Sequence, residues 1–315
     1  FDPRFTDEKG EIFVKKSCIA RRLRFLLLCL PIMIVLASAI PALAKAGKVT
    51  EFGIPTNNAQ PVGIALGPDG NLWFTEYSAN KIGRITPKGV FKEYAIPTAN
   101  SQPQWITAGP DGNLWFTEDN AYQIGKITTK GVVTEYPITS GSVANGITAG
   151  PDGNVWFTSL FGGFIGRITP NGKITEFTIP TGFSYPEGIA AGLGNALWFV
   201  EYNASKIGKI TTQGSITEYP LPNGGNPTDI TRGQKGLMWF TEPANNKIGT
   251  ITQNGKITEY PLPNGNLNAY RIVTGPNNTF WFVENYANKI GQINATGKVT
   301  EYTLPNSNSS PDDIT

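Results

Sequence analysis

Apolar positions along this chain fall in short runs separated by turn residues, and the runs recur. The clearest run is Leu72-Trp73-Phe74-Thr75-Glu76. Its tryptophan returns as Trp115, Trp156, Trp198, Trp239 and Trp281, at steps of 42, 41, 42, 41 and 42 residues. A fixed period of this length marks stacked supersecondary units, none of which can bury its apolar face alone. Within one period, residues 61–97, the pattern predicts four strands. Gly63-Ile64-Ala65-Leu66 is short and small-residued. After the Gly67-Pro68-Asp69-Gly70 turn, residues 72–75 form a continuous apolar strand buried on both faces. Residues 82–86 form a third strand. Residues 91–96 alternate, as an outer edge with one solvated face does.

Four short antiparallel strands in about 42 residues predict an all-β fold, a β-propeller of four-stranded blades. A β-sandwich needs no six near-identical units, and an open repeat stack needs polar caps, which are not visible. Lys48-Val49-Thr50-Glu51-Phe52-Gly53-Ile54-Pro55 matches a fourth strand and stands before the first complete unit. Pro311-Asp312-Asp313-Ile314-Thr315 matches the opening of a seventh unit. The expectation is six complete repeats plus a truncated seventh, with a seven-bladed ring for the full-length protein and a gap beside the sixth blade.

Residues 1–44 stand apart. Lys15, Lys16, Arg21, Arg22 and Arg24 precede an apolar run that ends in Ala42-Leu43-Ala44. That order reads as a leader and secretory signal peptide, with 45–315 as the propeller domain and a periplasmic or extracellular location. The alternative is an uncleaved membrane anchor. Cys18 and Cys29, the only cysteines, both lie in this leader, so residues 45–315 offer no disulfide and no thiolate metal site. The leader holds seven of the 26 basic and four of the 24 acidic residues, leaving 19 and 20, a net of about −1. Without a basic stripe, nucleic acid is not an expected partner. The chain is read as a monomer. Histidine is absent.

The motif Pro-x-Gly-Ile-x-x-Gly-Pro-Asp-Gly-Asn-Leu-Trp-Phe-Thr-Glu, followed by Asn-Lys-Ile-Gly-Arg-Ile-Thr, resembles the streptogramin B lyase (virginiamycin B lyase) family over about residues 47–315. The resemblance implies a seven-bladed propeller. It also implies a site where a magnesium ion and a histidine base open a cyclic depsipeptide antibiotic by elimination. That site lies on the face of first-strand starts and second-strand ends. Its histidines would fall at Tyr270 and Asp312, and its carboxylates at Ser310 and beyond Thr315. No catalytic residue therefore carries over.

Other residues on that face are candidates. Glu76, Glu118, Glu201, Glu242 and Glu284 end the second strand of five units, with Ser159 in the remaining one. They read either as a carboxylate ring at the channel mouth or as a repeated structural contact. Glu187 and Glu201 end adjacent strands at the same face. They read as a candidate Mg²⁺ or Ca²⁺ pair, or as two separately solvated carboxylates; no cofactor is otherwise called for. Asp229 and Arg271 replace the glycine before Ile in units five and six, as an ion pair or ligand contact. Trp105, Tyr122, Phe161, Phe164, Tyr185 and Tyr270 break the repeat and read as an aromatic rim suited to a sugar or apolar peptide, or as loop packing.

Three functions follow: a binding module for a small molecule, glycan, peptide or protein; a depsipeptide-opening lyase; and a metal-dependent lactonase or hydrolase using Glu187 and Glu201. The missing base favours the first.

Overall fold

The computed structural model describes residues 11–16, 24–29 and 48–315, except 264, 266, 267 and 307–309. Residues 1–10, 17–23 and 30–47, with Cys18 and the expected cleavage site at Ala42-Leu43-Ala44, lie outside the described residues.

The fold is all-β. Six four-stranded antiparallel sheets follow one another as blades. In blade 1 the strands are Pro61–Leu66, Leu72–Glu76, Lys81–Ile85 and Phe91–Ala95, in that order. The first strand is innermost and packs against the first strands of both neighbouring blades. The second strand is buried at every position, and the fourth is half-buried at Phe91, Glu93 and Tyr94 and exposed at Lys92 and Ala95. A seventh sheet takes Pro311–Ile314 as its first strand and Lys48–Gly53 as its fourth. Between them lie Glu11–Lys16 and Arg24–Cys29, paired antiparallel. The expected gap is thus filled by two strands from the stretch read as a leader. Neither carries the Leu-Trp-Phe-Thr-Glu or Lys-Ile-Gly pattern, so the two middle strands of this sheet are not those of a repeat.

Ring closure repeats the contacts made between ordinary blades. Asp313 Oδ2 accepts from Ile64 N at 2.8 Å across the seam, as Asp229 Oδ2 accepts from Ile272 N at 2.9 Å. Asn306 donates to Glu51, as Asn223 donates to Glu259.

The core lies between blades rather than within one. Trp198, Val200 and Ile207 of blade 4 pack with Ile230, Met238, Phe240 and Ile251 of blade 5, and the other interfaces follow suit. Each anchor tryptophan stacks on the aromatic of its own fourth strand, as Trp73 does on Tyr94 at 5.4 Å and 14°. The Gly-Pro-Asp-Gly turns serve these rings. Asp69, Asp111 and Asp152 accept the indole N–H at 3.0, 2.9 and 2.9 Å.

The glycine of Lys-Ile-Gly is explained by close approach. A Cβ on Gly208 would lie 2.0 Å from Phe199 Cζ, and the equivalent glycine meets the equivalent Phe in every complete blade. Gly208→Ala is expected to lower stability by about 1–3 kcal/mol through overpacking, read as a fall in the thermal midpoint. An unchanged midpoint would contradict this packing.

Candidate functional site

The channel mouth is built from first-strand starts, second-strand ends and their loops. A β-bulge near the start of the first strand sets the side-chain directions there, for example between Pro186 and Ile189 in blade 4. Two ring positions result. The outer holds Val62, Gln104, Asn145, Glu187, Thr228, Tyr270 and Asp312. The next residue along holds Gly63, Trp105, Gly146, Gly188, Asp229, Arg271 and Asp313.

Arg271 Nη1 lies 3.4 Å from Asp229 Oδ1, so the two residues replacing glycine do form an ion pair. The guanidinium also lies 3.5 Å from the Trp105 ring centroid and 5.0 Å from that of Tyr270. This cation–π stack joins blades 2 and 6 across the axis. Burial pulls the Arg271 pKa down, but Asp229, Tyr270, Asp313 and Glu187 carry it above its ordinary value. Burial pushes the carboxyls around it up: Glu187 to about 7, with Arg271 opposing, and Asp313 to about 6. Asp229 moves in the same direction for the same cause. Asp313 was not singled out from the sequence. It occupies the same glycine position as Asp229 and Arg271, which is the signal that finds it.

Tyr270 is held by burial with its phenol pushed up to about 12. Asp312 Oδ1 accepts from Asn285 Nδ2 at 2.8 Å. On the opposite side, Asn145 Nδ2 donates to Gln104 Oε1 at 3.3 Å and Gln104 Nε2 to Asp119 Oδ2 at 3.1 Å. Burial raises Asp119 to about 6.

The aromatic candidates divide. Phe161 is 63% exposed and meets the half-buried Tyr185 edge-on at 5.6 Å, and Tyr122 is exposed. Phe183 and Tyr286, also exposed, extend the rim and were missed. Trp105 and Tyr270 belong to the channel rather than the rim. Phe164 is not on the rim at all. It is buried in the core against Phe157, in the place where four other blades have Lys. Ser159 replaces the recurring Glu in that same blade and meets Ser142 Oγ at 2.5 Å. The Glu and the Lys opposite it on the third strand are lost together, while the fourth-strand Glu176 is kept and accepts from Ser140 Oγ at 2.8 Å.

The recurring glutamates do not form a ring at the mouth. Glu76, Glu118, Glu201, Glu242 and Glu284 are all 0% exposed. Each lies beside the glutamate of its own fourth strand: Glu93, Glu135, Glu218, Glu259 and Glu301. The fourth-strand glutamates of blades 1, 4, 5 and 6 are paired with Lys81, Lys206, Lys247 and Lys289 at 2.9, 3.6, 2.5 and 2.5 Å. Glu201 therefore does not pair with Glu187. Its electrostatic neighbours are Glu218, Lys206 and Ser184, whereas those of Glu187 are Arg271 and Asp229. The bulge turns Glu187 toward the channel and leaves Glu201 in the blade. Among the described residues, no group of three or more His, Cys, Asp or Glu could hold a metal ion. The family's magnesium does not fit Tyr270, Asp312 and Ser310 as a donor set, since a phenol held neutral and a hydroxyl are poor substitutes for imidazole and carboxylate.

The virginiamycin B lyase family model matches residues 32–226 and, overlapping, 100–315. The chain belongs to this family. A streptogramin B lyase structure is 41% identical, with 82% of this chain and 88% of that one covered and a TM-score of 0.79. Virginiamycin B lyase from Staphylococcus aureus is 40% identical over 80% of this chain and 87% of that one, with a TM-score of 0.78. A catalytically inactive histidine-to-alanine variant of that lyase, solved with quinupristin, is 40% identical over 83% and 90%, at 0.80.

Proposed function

We propose that this member of the virginiamycin B lyase family is an exported, monomeric binding module that holds a peptide-type ligand on its channel-mouth face without opening it. One observation carries the reading. The two positions that would supply a histidine base are Tyr270 and Asp312, and the chain contains no histidine. A general base must accept a proton near neutral pH. A buried phenol pushed up to about 12 holds its own proton there.

Support for binding comes from the exposed Phe161–Tyr185 pair beside a ring of hydrogen-bonding side chains, a combination that suits a ligand with apolar groups and amides. The relative solved with quinupristin makes cyclic depsipeptides the first ligands to try. Titration calorimetry with a streptogramin B is expected to show saturable binding. Phe161→Ser and Tyr185→Ser are each expected to weaken it by about 3- to 10-fold. No binding, or binding only of an oligosaccharide or a protein, would contradict the reading. The second reading, an active lyase, rests on the family membership.

Export is supported by the basic and then apolar order of residues 15–44. Secreted protein is expected to begin at Lys45. Cleavage there would also remove the strands Glu11–Lys16 and Arg24–Cys29 from the seventh sheet. Mature protein that keeps residues 1–44 would contradict export by this route.

A further inference from the structure

The channel below the mouth carries polar atoms that nothing in the described protein satisfies. Its lining position is crowded. A Cβ on Gly63 would lie 2.6 Å from the Gln104 carbonyl oxygen, and one on Gly146 would lie 2.3 Å from that of Glu187. Four blades nevertheless place large or charged side chains at this position: Asp229 and Asp313 reach the backbone N–H of the next blade, and Arg271 stacks on Trp105.

Arg271 is 4% exposed. With Nη1 on Asp229, its Nε and Nη2 find no acceptor. Trp105 is 8% exposed, and its Nε1 finds none either. The opposite need stands beside these donors. Asn145 is 8% exposed with Oδ1 unpartnered, and Glu187 Oε2 is buried and unpartnered. Five unsatisfied atoms thus come from blades 2, 3, 4 and 6, with Trp105 and Glu187 both neighbours of Arg271 and Asn145 bonded to Gln104 next to Trp105. Buried polar groups without partners are rare and costly, so such a set calls for an occupant.

The chemistry of the set selects the class. Glu187, Asp229 and Asp313 surround one guanidinium, so an added anion is repelled. A bare cation would satisfy Glu187 and Asn145 and leave Arg271 and Trp105 without acceptors. A neutral group with a carbonyl on one side and an N–H on the other satisfies both. We infer that the inner channel mouth is a subsite for a neutral amide, its carbonyl accepting from Arg271 and Trp105 and its N–H donating to Glu187 and Asn145. This deepens the binding-module reading and rests on it. The rim aromatics take the apolar part of a peptide-type ligand, and the channel takes one of its backbone units.

The indole N–H of Trp105 is the reporter. The full chain is labelled with ¹⁵N at tryptophan, the Trp105 signal is assigned by its loss in Trp105→Phe, and N-methylacetamide is titrated in. The expected result is a saturable shift of that signal alone among the seven tryptophans. Methyl acetate, which lacks the N–H, acetate and methylammonium are each expected to bind at least about tenfold more weakly. Arg271→Met is expected to weaken the amide by a similar factor. Should Arg271→Met fail to fold, Glu187→Val tests the acceptor side. Blade 1 already carries Val62 at that ring position, so the backbone accepts it.

An unmoved Trp105 signal would mean that water alone fills the channel, and an equal response to methyl acetate or acetate would show no amide selectivity. Either would overturn the subsite. A streptogramin that binds the rim through Phe161 and Tyr185 yet leaves Trp105 unmoved would overturn the subsite and keep the binding module. Failure of any peptide-type ligand to bind would overturn both.

Discussion

Raising the pH from 5.5 to 8.5 is expected to lower the thermal midpoint of this propeller by about 5–10 °C. The cause is the set of five buried glutamates. Burial, joined by the neighbouring fourth-strand glutamate, pushes Glu76, Glu118, Glu201 and Glu284 from 4.5 to about 8, and Glu242 to about 7. A carboxyl raised in the folded state holds its proton there while the unfolded chain releases it above its ordinary value. Stability therefore falls as pH rises from about 4.5, and the loss is complete above about 8. One full proton of difference is worth about 1.4 kcal/mol per pH unit. Five in full would exceed the 5–15 kcal/mol that holds a typical domain together, so a net slope of about one proton is expected. The fourth-strand Glu93 and Glu218 shift the other way: burial raises them, and hydrogen bonds from Thr56 and Thr181, with their lysines, outweigh it. Their contribution is lost only as pH falls toward their lowered values, outside this window. Glu118→Gln, neutral at every pH, should flatten the profile by less than a fifth, because Glu187, Asp119 and Asp313 are raised as well and add to the five. A midpoint that is constant or rises between pH 5.5 and 8.5 would contradict this account.

That device was not legible in the chain, although its residues were. The recurrence of Glu76 and its equivalents was visible, and the period, the four strands per unit and the tryptophan anchors all appear where the apolar pattern put them. What the pattern lacked was the partner. Glu76 meets Glu93 only because the second strand pairs with the third and the third with the fourth, with Glu76 opposite Lys81 and Gly83 opposite Glu93. The same limit separated Glu187 from Glu201. Sequence spacing ends both strands at one face, but the bulge after Pro186 decides where each side chain points. Phe164 read as a rim aromatic because its position is polar elsewhere; it is buried against Phe157, with the small Ser159 opposite it on the second strand. Asp229 and Arg271, by contrast, were found from the sequence, since a charged residue at a glycine position of a repeat has to be accommodated by something specific.

The second large effect concerns turnover. A positioned general base contributes about 10²–10⁴-fold, and a bound metal adds to it. In this chain the base positions hold a phenol that keeps its proton and an aspartate bonded to Asn285. The position of one metal carboxylate holds Ser310. Binding without a base does not lower the barrier of an elimination. The relative from Staphylococcus aureus is catalytically inactive as a single histidine-to-alanine variant, and this chain lacks both histidines.

The most direct measurement is therefore to incubate the full chain with a streptogramin B, with and without Mg²⁺, and to follow ring opening by chromatography alongside binding by calorimetry. The account predicts saturable binding, with the cyclic compound recovered unchanged at the rate of the protein-free control. Ring opening above that control, abolished by Asp312→Asn, would show the aspartate to be a working base and would contradict it.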